Sequence, residues 1–549
     1  MQCRAISHRE ELEPFLLSLE TANAVAVRVE TPLLGGERVS AIRFAVPGGL
    51  EVSVDCAAFL PSGSSSLQKI FAAPVVKVFA DAADELLFLN EMGFAVSGPL
   101  FDVALVSRLL HIAGIEEYPG DETEPRETEG AAAALLRKRE DMIPLIVRNG
   151  MTHVTDIELR CIPAVAHMHC KGIHLDLEQW RRLTETTREE QARATAALAP
   201  WIGGPATRPS LWGEDIPFGP NLDSNVYALK LLRRHGLDVK STSRRDLAPH
   251  HCHPLVRALG AYRKASKALS SFLLPFPGLT DPAGRLHPRY EQLTAFSGRM
   301  SCHHPNIQQI PREAAFRGCF TAPPGRSLVV ADYSQIELRV AAQISRDERM
   351  LSAYQAGEDL HLLTASYLAG KPMALISKQE RQEYKAVNLG LIYGMGAEGL
   401  RETARQSYGV EMPLEDATFF RKRFFETYKG IYEWHRGIKN SSSREGRTLT
   451  GRRFPFSPDA GLPERSNLPV QGTAADIIKK ALGLLLPRLD RETWIVAVVH
   501  DEILLECPSA TAHEAAALLC ATMEEAANAI LPDVPTSVQA VISASWAEK

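Results

Sequence analysis

The chain has 549 residues, 45% hydrophobic and 23% charged, with a formal net charge of −5. These proportions predict an ordinary globular protein of two to four domains. The absence of a long apolar run, with the charged N-terminus MQCRAISHREELEPF, speaks against a membrane span or secretory leader and predicts a cytoplasmic location. Nine scattered cysteines without a CxxC pair argue against a disulfide framework.

Three strand-like runs open the chain, Ala24–Glu30, Ser40–Val46 and Leu50–Cys56, with Gly/Pro turns between them. Helical patterns follow at Asp81–Met92 and Phe101–His111, so the first part reads as an α/β unit with its own sheet. Pro119–Gly130 is acidic and turn-rich, the composition of a loop. Beyond Asp156 the pattern turns helical, with amphipathic segments Ile157–Lys171 and Leu177–Ala199, a Gly/Pro-rich insert Gly203–Pro220, and a long helix His253–Phe272. Residues 286–344 mix strand and loop, 345–455 are mostly helical, and 464–549 return to strand and helix. Basic clusters at Lys230, Arg233 and Arg234, at Lys240, Arg244 and Arg245, and at Arg444, Arg447, Arg452 and Arg453 read either as solvated faces or as phosphate-binding patches.

Two acidic residues carry the chemical signal. Asp332 ends the apolar run Leu328-Val329-Val330-Ala331, and Asp501 lies in His500-Asp501-Glu502 between the apolar arms of a predicted hairpin. A carboxylate at the lip of a buried strand is costly unless its charge is compensated. Two of them, brought from flanking segments of one mixed sheet, would hold a pair of Mg²⁺ ions for in-line phosphoryl displacement. His-Asp-Glu makes a poor plain turn, since it offers no Gly or Asn for positive φ. Ser334-x-x-Glu337 fits a capping box, so Glu337 reads as a helix cap, as a wall of the same pocket, or as both. Between the two aspartates, Arg381, Lys385, Leu389 and Tyr393 fall on one helix face that ends at Gly394. That face is either an amphipathic surface or a cradle for triphosphate, sugar and base. The clusters His167-x-His169-Cys170, His250-His251-Cys252-His253 and Cys302-His303-His304 lack the paired spacing of a zinc site.

Taken in order, these segments resemble the family A DNA polymerases, across residues 156–549. Asp332-Tyr333-Ser334-Gln335-Ile336-Glu337-Leu338-Arg339 is similar to motif A, Arg381 to Gly394 to motif B and His500-Asp501-Glu502 to motif C. Ser297-Gly298-Arg299-Met300-Ser301, Pro305 to Pro311, Asp359-Leu360-His361 and Asn467-x-Pro469-x-Gln471-Gly472-Thr473-Ala474-Ala475-Asp476 add to the likeness. The resemblance implies a right-hand polymerase: thumb at about 177–285, palm at about 286–344 and 464–549, and fingers at about 345–455. It implies a monomer that adds deoxynucleoside triphosphates to primer–template DNA in replication or repair, with two Mg²⁺ ions held by Asp332, Asp501 and the Tyr333 carbonyl. Arg381, Lys385 and His361 would hold the triphosphate, with Lys385 as proton donor to the pyrophosphate. Glu337 and Tyr393 would wall off the ribose 2′ position, and Arg299, Asn467, Gln471 and His500 would meet the DNA. Leu389 stands where the family usually has an aromatic residue. Pro463 stands where it has an arginine, and Arg465 is the expected substitute.

Residues 1–155 resemble a 3′–5′ proofreading exonuclease of RNase H-like fold, in a degenerate form. Val27-Arg28-Val29-Glu30 has arginine where the first motif needs aspartate, and Asp81 and Glu85 replace the Asn and Asp of the second. No Tyr-x-x-x-Asp precedes residue 160. An arginine beside Glu30 puts positive charge where metal would sit, so the expectation is a kept fold without proofreading. Two alternatives are an RNA-synthesising enzyme, which Glu337 argues against, and a non-catalytic primer–template binder, which would need none of Asp332, Asp501, Arg381 and Lys385. A nuclease reading is weakened by the lost ligands.

Overall fold

The computed structural model describes residues 4–30, 39–48, 50–115, 130–202, 206–209, 215–218, 221–408 and 411–547. Nearly all of the acidic loop Pro119–Gly130 and most of the insert Gly203–Pro220 lie outside the described residues. Among the described residues no helix is long and apolar enough to cross a membrane.

The N-terminal unit is built on six strands, in the order Arg4–Ile6, Glu51–Asp55, Ala41–Ala45, Ala24–Glu30, Val76–Phe79, Leu100–Asp102. The three in the middle of the chain's first half form an antiparallel meander, and the last two join it in parallel. Ala24-Val25-Ala26-Val27 is buried along its whole length because both faces are covered. Successive side chains alternate, so Val25 and Val27 enter a core with Phe15, Phe44 and Phe71, while Ala24 and Ala26 meet Leu109, Leu135 and Met142 on the other side. The small alanines admit the helix Ala131–Arg148, which packs across this strand. The helix expected at Phe101–His111 starts only at Val103: Leu100–Asp102 is the edge strand, and Asp102 Oδ1 caps the helix by accepting from Leu105 N–H at 2.8 Å.

The second sheet has four strands in the order Trp494–Val499, Glu502–Pro508, Arg326–Tyr333, Val538–Ser543. Every pairing in it is antiparallel, which corrects the expected mixed sheet. A two-residue connection at His500-Asp501 leaves no length for a parallel crossover between the first two strands. Helices Leu462–Leu485 and Ala512–Asn528 pack together beneath this sheet, and a run of helices from Glu348 to Asn440 is inserted between its halves. Leu177–Ile202 packs on Pro254–Ala268 with a separate small core of Leu198, Leu232, Leu255 and Leu259.

Helix Thr152–Lys171 joins the two units, giving Ile162 and Ala166 to the N-terminal core and Ile157, Cys161 and Val165 to the larger one. Its Glu158 sits in a fully buried charge cluster. Lys479 Nζ donates to Glu158 and to the Gln292 carbonyl at 2.7 Å, and Arg452 donates to Glu158 and, at 2.6 and 2.9 Å, to Asp476 Oδ1. Two positive and two negative charges cancel, which is what makes burial tolerable. Arg452 also lies against Gly298, where a Cβ would come within 2.7 Å of its guanidinium carbon, so the loop before Arg299 tolerates only glycine there.

Candidate active site

Asp332 and Asp501 meet at one end of the antiparallel sheet. The strand carrying Asp332 pairs it with Glu502, and Asp501 forms the hairpin tip one residue earlier. The turn does form without Gly or Asn: His500 takes φ +60°, a conformation that histidine visits more readily than most residues. Strain of this kind persists where the surroundings enforce it, and here Tyr333 N–H donates to the Asp501 carbonyl at 3.4 Å, tying the tip to the neighbouring strand. The Tyr333 side chain turns into the core, where its hydroxyl donates to the Met523 carbonyl at 2.7 Å, so it is the Tyr333 backbone that faces the aspartates. Both aspartates line a cleft of about 980 Å³ with Arg299, Glu337, His361, Arg381, Lys385, Leu389 and His500.

Another wall is the helix Lys378–Ile392, opened by a reciprocal Ser377–Glu380 capping box and ended by Gly394 at φ +72°. Arg381 is already engaged, donating to Asp359 Oδ2 at 2.6 and 3.0 Å. Burial would raise the Asp359 carboxyl, but Arg381 and the N–H groups of Leu362 and His361 outweigh it and hold it below its ordinary value. Asp359 also accepts from Gln335 Nε2 at 3.2 Å, which links this wall to the Asp332 segment. His361 is buried, and burial, aided by Arg381 and Lys385 against the opposing charge of Asp359, lowers it to about 4. It is therefore neutral at neutral pH. Thr364 Oγ1 lies 2.9 Å from Asn388 Oδ1, and Asn388 Nδ2 lies 3.0 Å from His361 Nδ1; with the amide in this orientation Nδ1 accepts and Nε2 carries the proton.

Glu337 is not a helix cap. Its helix, Ile336–Ser345, starts after Gln335 in the left-handed region (φ +56°) with no side-chain cap. The Glu337 carboxylate accepts instead from Arg299 at 2.6 Å and from the Tyr393 hydroxyl. Burial and the Glu337 charge push the Tyr393 phenol well up, so it stays a donor. Tyr393 itself stands behind Glu337 rather than among the lining residues. Asn467 and Gln471 are half-buried on helix Leu462–Leu485, upstream of Ala474, Ala475 and Ile478, which do line the cleft. Arg465 does not replace the missing arginine in the cleft. Its guanidinium donates to the carbonyls of Ile438, Ser441 and Ser443 and lies over Phe456, so it ties down a helix end. His500 is pushed down by burial and by Arg299 and Arg312, which favours its neutral form.

Among the described residues, no group of three or more His, Cys, Asp or Glu is placed to hold a metal ion. Two carboxylates and a carbonyl nevertheless fit a hard cation of the kind that takes few protein ligands and completes its shell with water and substrate phosphate.

The N-terminal site is arranged differently. Arg28 lies directly across from Arg43 on the adjacent strand, and Arg43 pairs with Glu30 at 2.8 Å. Glu85 is buried and raised well above its ordinary value by desolvation, with the Arg28 charge pulling the other way. Asp81 faces a second cleft, between the two units, with Asp84, Asp102, Arg108 and Arg289, and Arg289 pairs with Asp84 at 2.6 Å. Four residues give no local signal of their own: Arg43 and Asp102 here, and Arg317 and Trp546 beside Glu502 in the main cleft. Their roles depend on partners from distant segments.

Residues 226–548 match DNA polymerase family A. The chain is 35% identical over 406 residues to DNA polymerase I of Aquifex aeolicus, covering 72% of this chain and 67% of that one. It is 32% identical over 487 residues to the thermostable DNA polymerase I of Thermus filiformis, covering 82% of this chain and 55% of the relative. DNA polymerase I of Pseudomonas aeruginosa is 31% identical over 423 residues, 72% of this chain and 44% of its own length. The chain thus spans about half the length of these last two relatives. In three dimensions it is similar to the POL domain of Pol1 from M. smegmatis, a structure in complex with DNA primer-template and dNTP, with TM-score 0.81 and 25% identity over 100% of this chain and 99% of that one. This chain belongs to DNA polymerase family A.

Proposed function

We propose that the chain extends a DNA primer along a template, joining deoxynucleotides to its 3′-hydroxyl. The observation that carries this is the meeting of Asp332 and Asp501 at one strand end, with Arg381, Lys385 and His361 on another wall of the same cleft. Such a cleft accepts a polyanion between metal-binding carboxylates and cations.

Asp332, Asp501 and the Tyr333 carbonyl are the residues to hold two Mg²⁺ ions. Those ions, when bound, activate the primer hydroxyl and offset charge on the departing pyrophosphate. Arg381, oriented by Asp359, and Lys385 bind the phosphates, and Lys385 protonates the leaving pyrophosphate. Neutral His361 donates its Nε2–H to a phosphate oxygen. Glu337, fixed between Arg299 and Tyr393, fills the space a ribose 2′-hydroxyl would need. Arg299, Asn467, Gln471 and His500 meet the duplex near the primer end. In this reading the antiparallel sheet is the palm, the inserted helices are the fingers, and the region 177–285 is the thumb. The N-terminal unit is an exonuclease-type domain whose metal positions are taken by Arg28 and Arg43, so it does not proofread.

One gel tests both parts: a 5′-labelled primer with a mismatched 3′ end and a matched control, each on a longer template with Mg²⁺, with and without the four deoxynucleotides. Extension of the matched primer, with no shortening of either in nucleotide-free lanes, is expected. Lack of extension overturns the polymerase reading, and shortening abolished by Glu30→Ala overturns the loss of proofreading.

A further inference from the structure

The last described residues of the chain reach the floor of the cleft. After strand Val538–Ser543 the backbone crosses to the segment after Arg317, where Trp546 N–H donates to the Phe320 carbonyl at 2.9 Å and Ser545 bridges to Thr321. This fixes the Trp546 indole, 1% exposed, in edge contact with Phe320 at 5.6 Å between ring centres. The indole N–H then donates to Glu502 Oε1 at 2.6 Å. Arg317 approaches the other oxygen, Oε2, at 3.4 Å, and its guanidinium lies 4.1 Å over the Trp546 ring. Three buried side chains from three distant segments thus close a ring in which each touches the other two.

The position of Glu502 gives this ring a purpose. Glu502 follows Asp501 in sequence and lies opposite Asp332 in the strand register, and all three line the same cleft. An unrestrained third carboxylate there would compete for the same cations and add a third negative charge beside them. Indole N–H is a donor only and guanidinium is a donor only, so both are matched to carboxylate oxygens and to nothing else in the ring. Burial strengthens both contacts, and the stacked indole keeps the guanidinium plane in place.

We propose that Trp546 and Arg317 are positioning residues that hold Glu502 back from the Asp332–Asp501 pair, so that two carboxylates rather than three are presented to the divalent cations. This rests on the reading of those aspartates as the metal-binding pair. It makes the C-terminal segment part of the machinery that sets metal affinity.

The test uses the full chain as wild type, Trp546→Phe, Glu502→Gln, the double variant and Asp332→Asn. Mn²⁺ alone is titrated in without DNA or nucleotide, with the free ion followed by electron paramagnetic resonance, and single-nucleotide incorporation is timed in parallel. Phenylalanine keeps the packing on Phe320 and Arg317 and removes only the donor. Trp546→Phe is expected to bind Mn²⁺ about 3- to 10-fold more tightly and to incorporate nucleotide about 10-fold more slowly at saturating nucleotide, effects of the size one displaced charge produces. In the Glu502→Gln background the same change is expected to leave Mn²⁺ affinity where Glu502→Gln set it, because no carboxylate remains to be released. Trp546→His, which restores an N–H, is expected to move both readouts back toward wild type. Should Trp546→Phe fail to fold, Arg317→Lys is expected to shift Mn²⁺ affinity in the same direction. Wild-type Mn²⁺ affinity and rate in a folded Trp546→Phe overturn the proposal, as does an equal effect with and without Glu502. Mn²⁺ binding unaffected by Asp332→Asn would instead overturn the metal reading beneath it, so the two failures are distinct.

Discussion

The chain carries acidic side chains at the ends of buried strands in two sheets, and the two sheets place the compensating positive charge differently. In the antiparallel sheet, Asp332 and Asp501 sit side by side, while Arg381 and Lys385 belong to a helix that forms a different wall of the cleft. In the N-terminal unit the cations stand on the same or the adjacent strand: Arg28 shares a strand with Glu30 and lies opposite Arg43, Arg43 grips Glu30, and Arg28 bears on buried Glu85 of the helix Ala82–Glu91. Two arginines facing each other across strands repel unless anions lie between them, and here the two glutamates supply those anions. Where opposite charges are held apart by a cleft, a metal ion and a polyanion can fill the gap; where they touch, as Arg43 and Glu30 do, the acid's charge is already offset and its pull on a cation is weaker.

The largest effect should come from removing one carboxylate of the Asp332–Asp501 pair. Asp332→Asn or Asp501→Asn is expected to lower nucleotide incorporation by about 10³-fold or more, the scale on which metal-assisted stabilisation of developing charge operates. Glu30→Gln and Glu85→Gln are expected to leave incorporation unchanged in the same assay. A loss of comparable size in either N-terminal variant would break the comparison.

The next effect concerns Glu337, held by Arg299 and Tyr393. Glu337→Ala is expected to raise ribonucleotide relative to deoxynucleotide incorporation by about 10²-fold, since a fixed polar wall discriminates by more than a single methylene does. Tyr393→Phe, which removes one of its two donors, should move the ratio in the same direction by less. Ratios equal to wild type in steady-state competition between the two nucleotides would show that Glu337 serves the fold rather than the sugar.

How much of this was legible in the sequence follows from the range of each interaction. Asp332 announced itself because four apolar residues precede it, and the helix face of Arg381, Lys385 and Leu389, with its stop at Gly394, is a local periodicity. The strands at Ala24–Glu30 and beside Asp501 were legible for the same reason. Ser334-x-x-Glu337 misled in the same local terms: the pattern fits a capping box, but Gln335 takes the left-handed conformation and Arg299 and Tyr393, 38 and 56 positions away, claim the carboxylate. Arg465 could not be seen to serve carbonyls at the end of another helix, and Trp546 could not be seen to meet Glu502. The hairpin around Asp501 made one antiparallel pair legible, but the antiparallel pairing of strand Arg326–Tyr333 with both its neighbours was hidden, because alternation reveals a strand and not its partner's direction.

The smallest effect is one of stability, and it separates the two sheets by pH. Asp102 is 3% exposed, and burial lifts it to about 7, against the N–H groups of Leu105 and Ala82 that favour its charged form; neighbouring Asp81 adds to the rise. A carboxyl raised in the folded state contributes stability that is full below its unfolded value near 4 and is lost as pH climbs through the folded value. The N-terminal unit should therefore weaken between about pH 4 and 7 by an amount on the order of a few kcal/mol, and level off above. Asp102→Asn keeps an oxygen to cap the helix at Leu105 and removes the ionisation. Thermal melts of the two proteins from pH 5 to 8 should then diverge up to about pH 7, the wild type losing ground to the variant as pH rises toward that value, and run parallel above it. Melts parallel over the whole range would mean that the carboxyl ionises without cost, and that the polar cleft between the units, with Arg108 and Arg289 on its walls, compensates Asp102 as fully as Arg43 compensates Glu30.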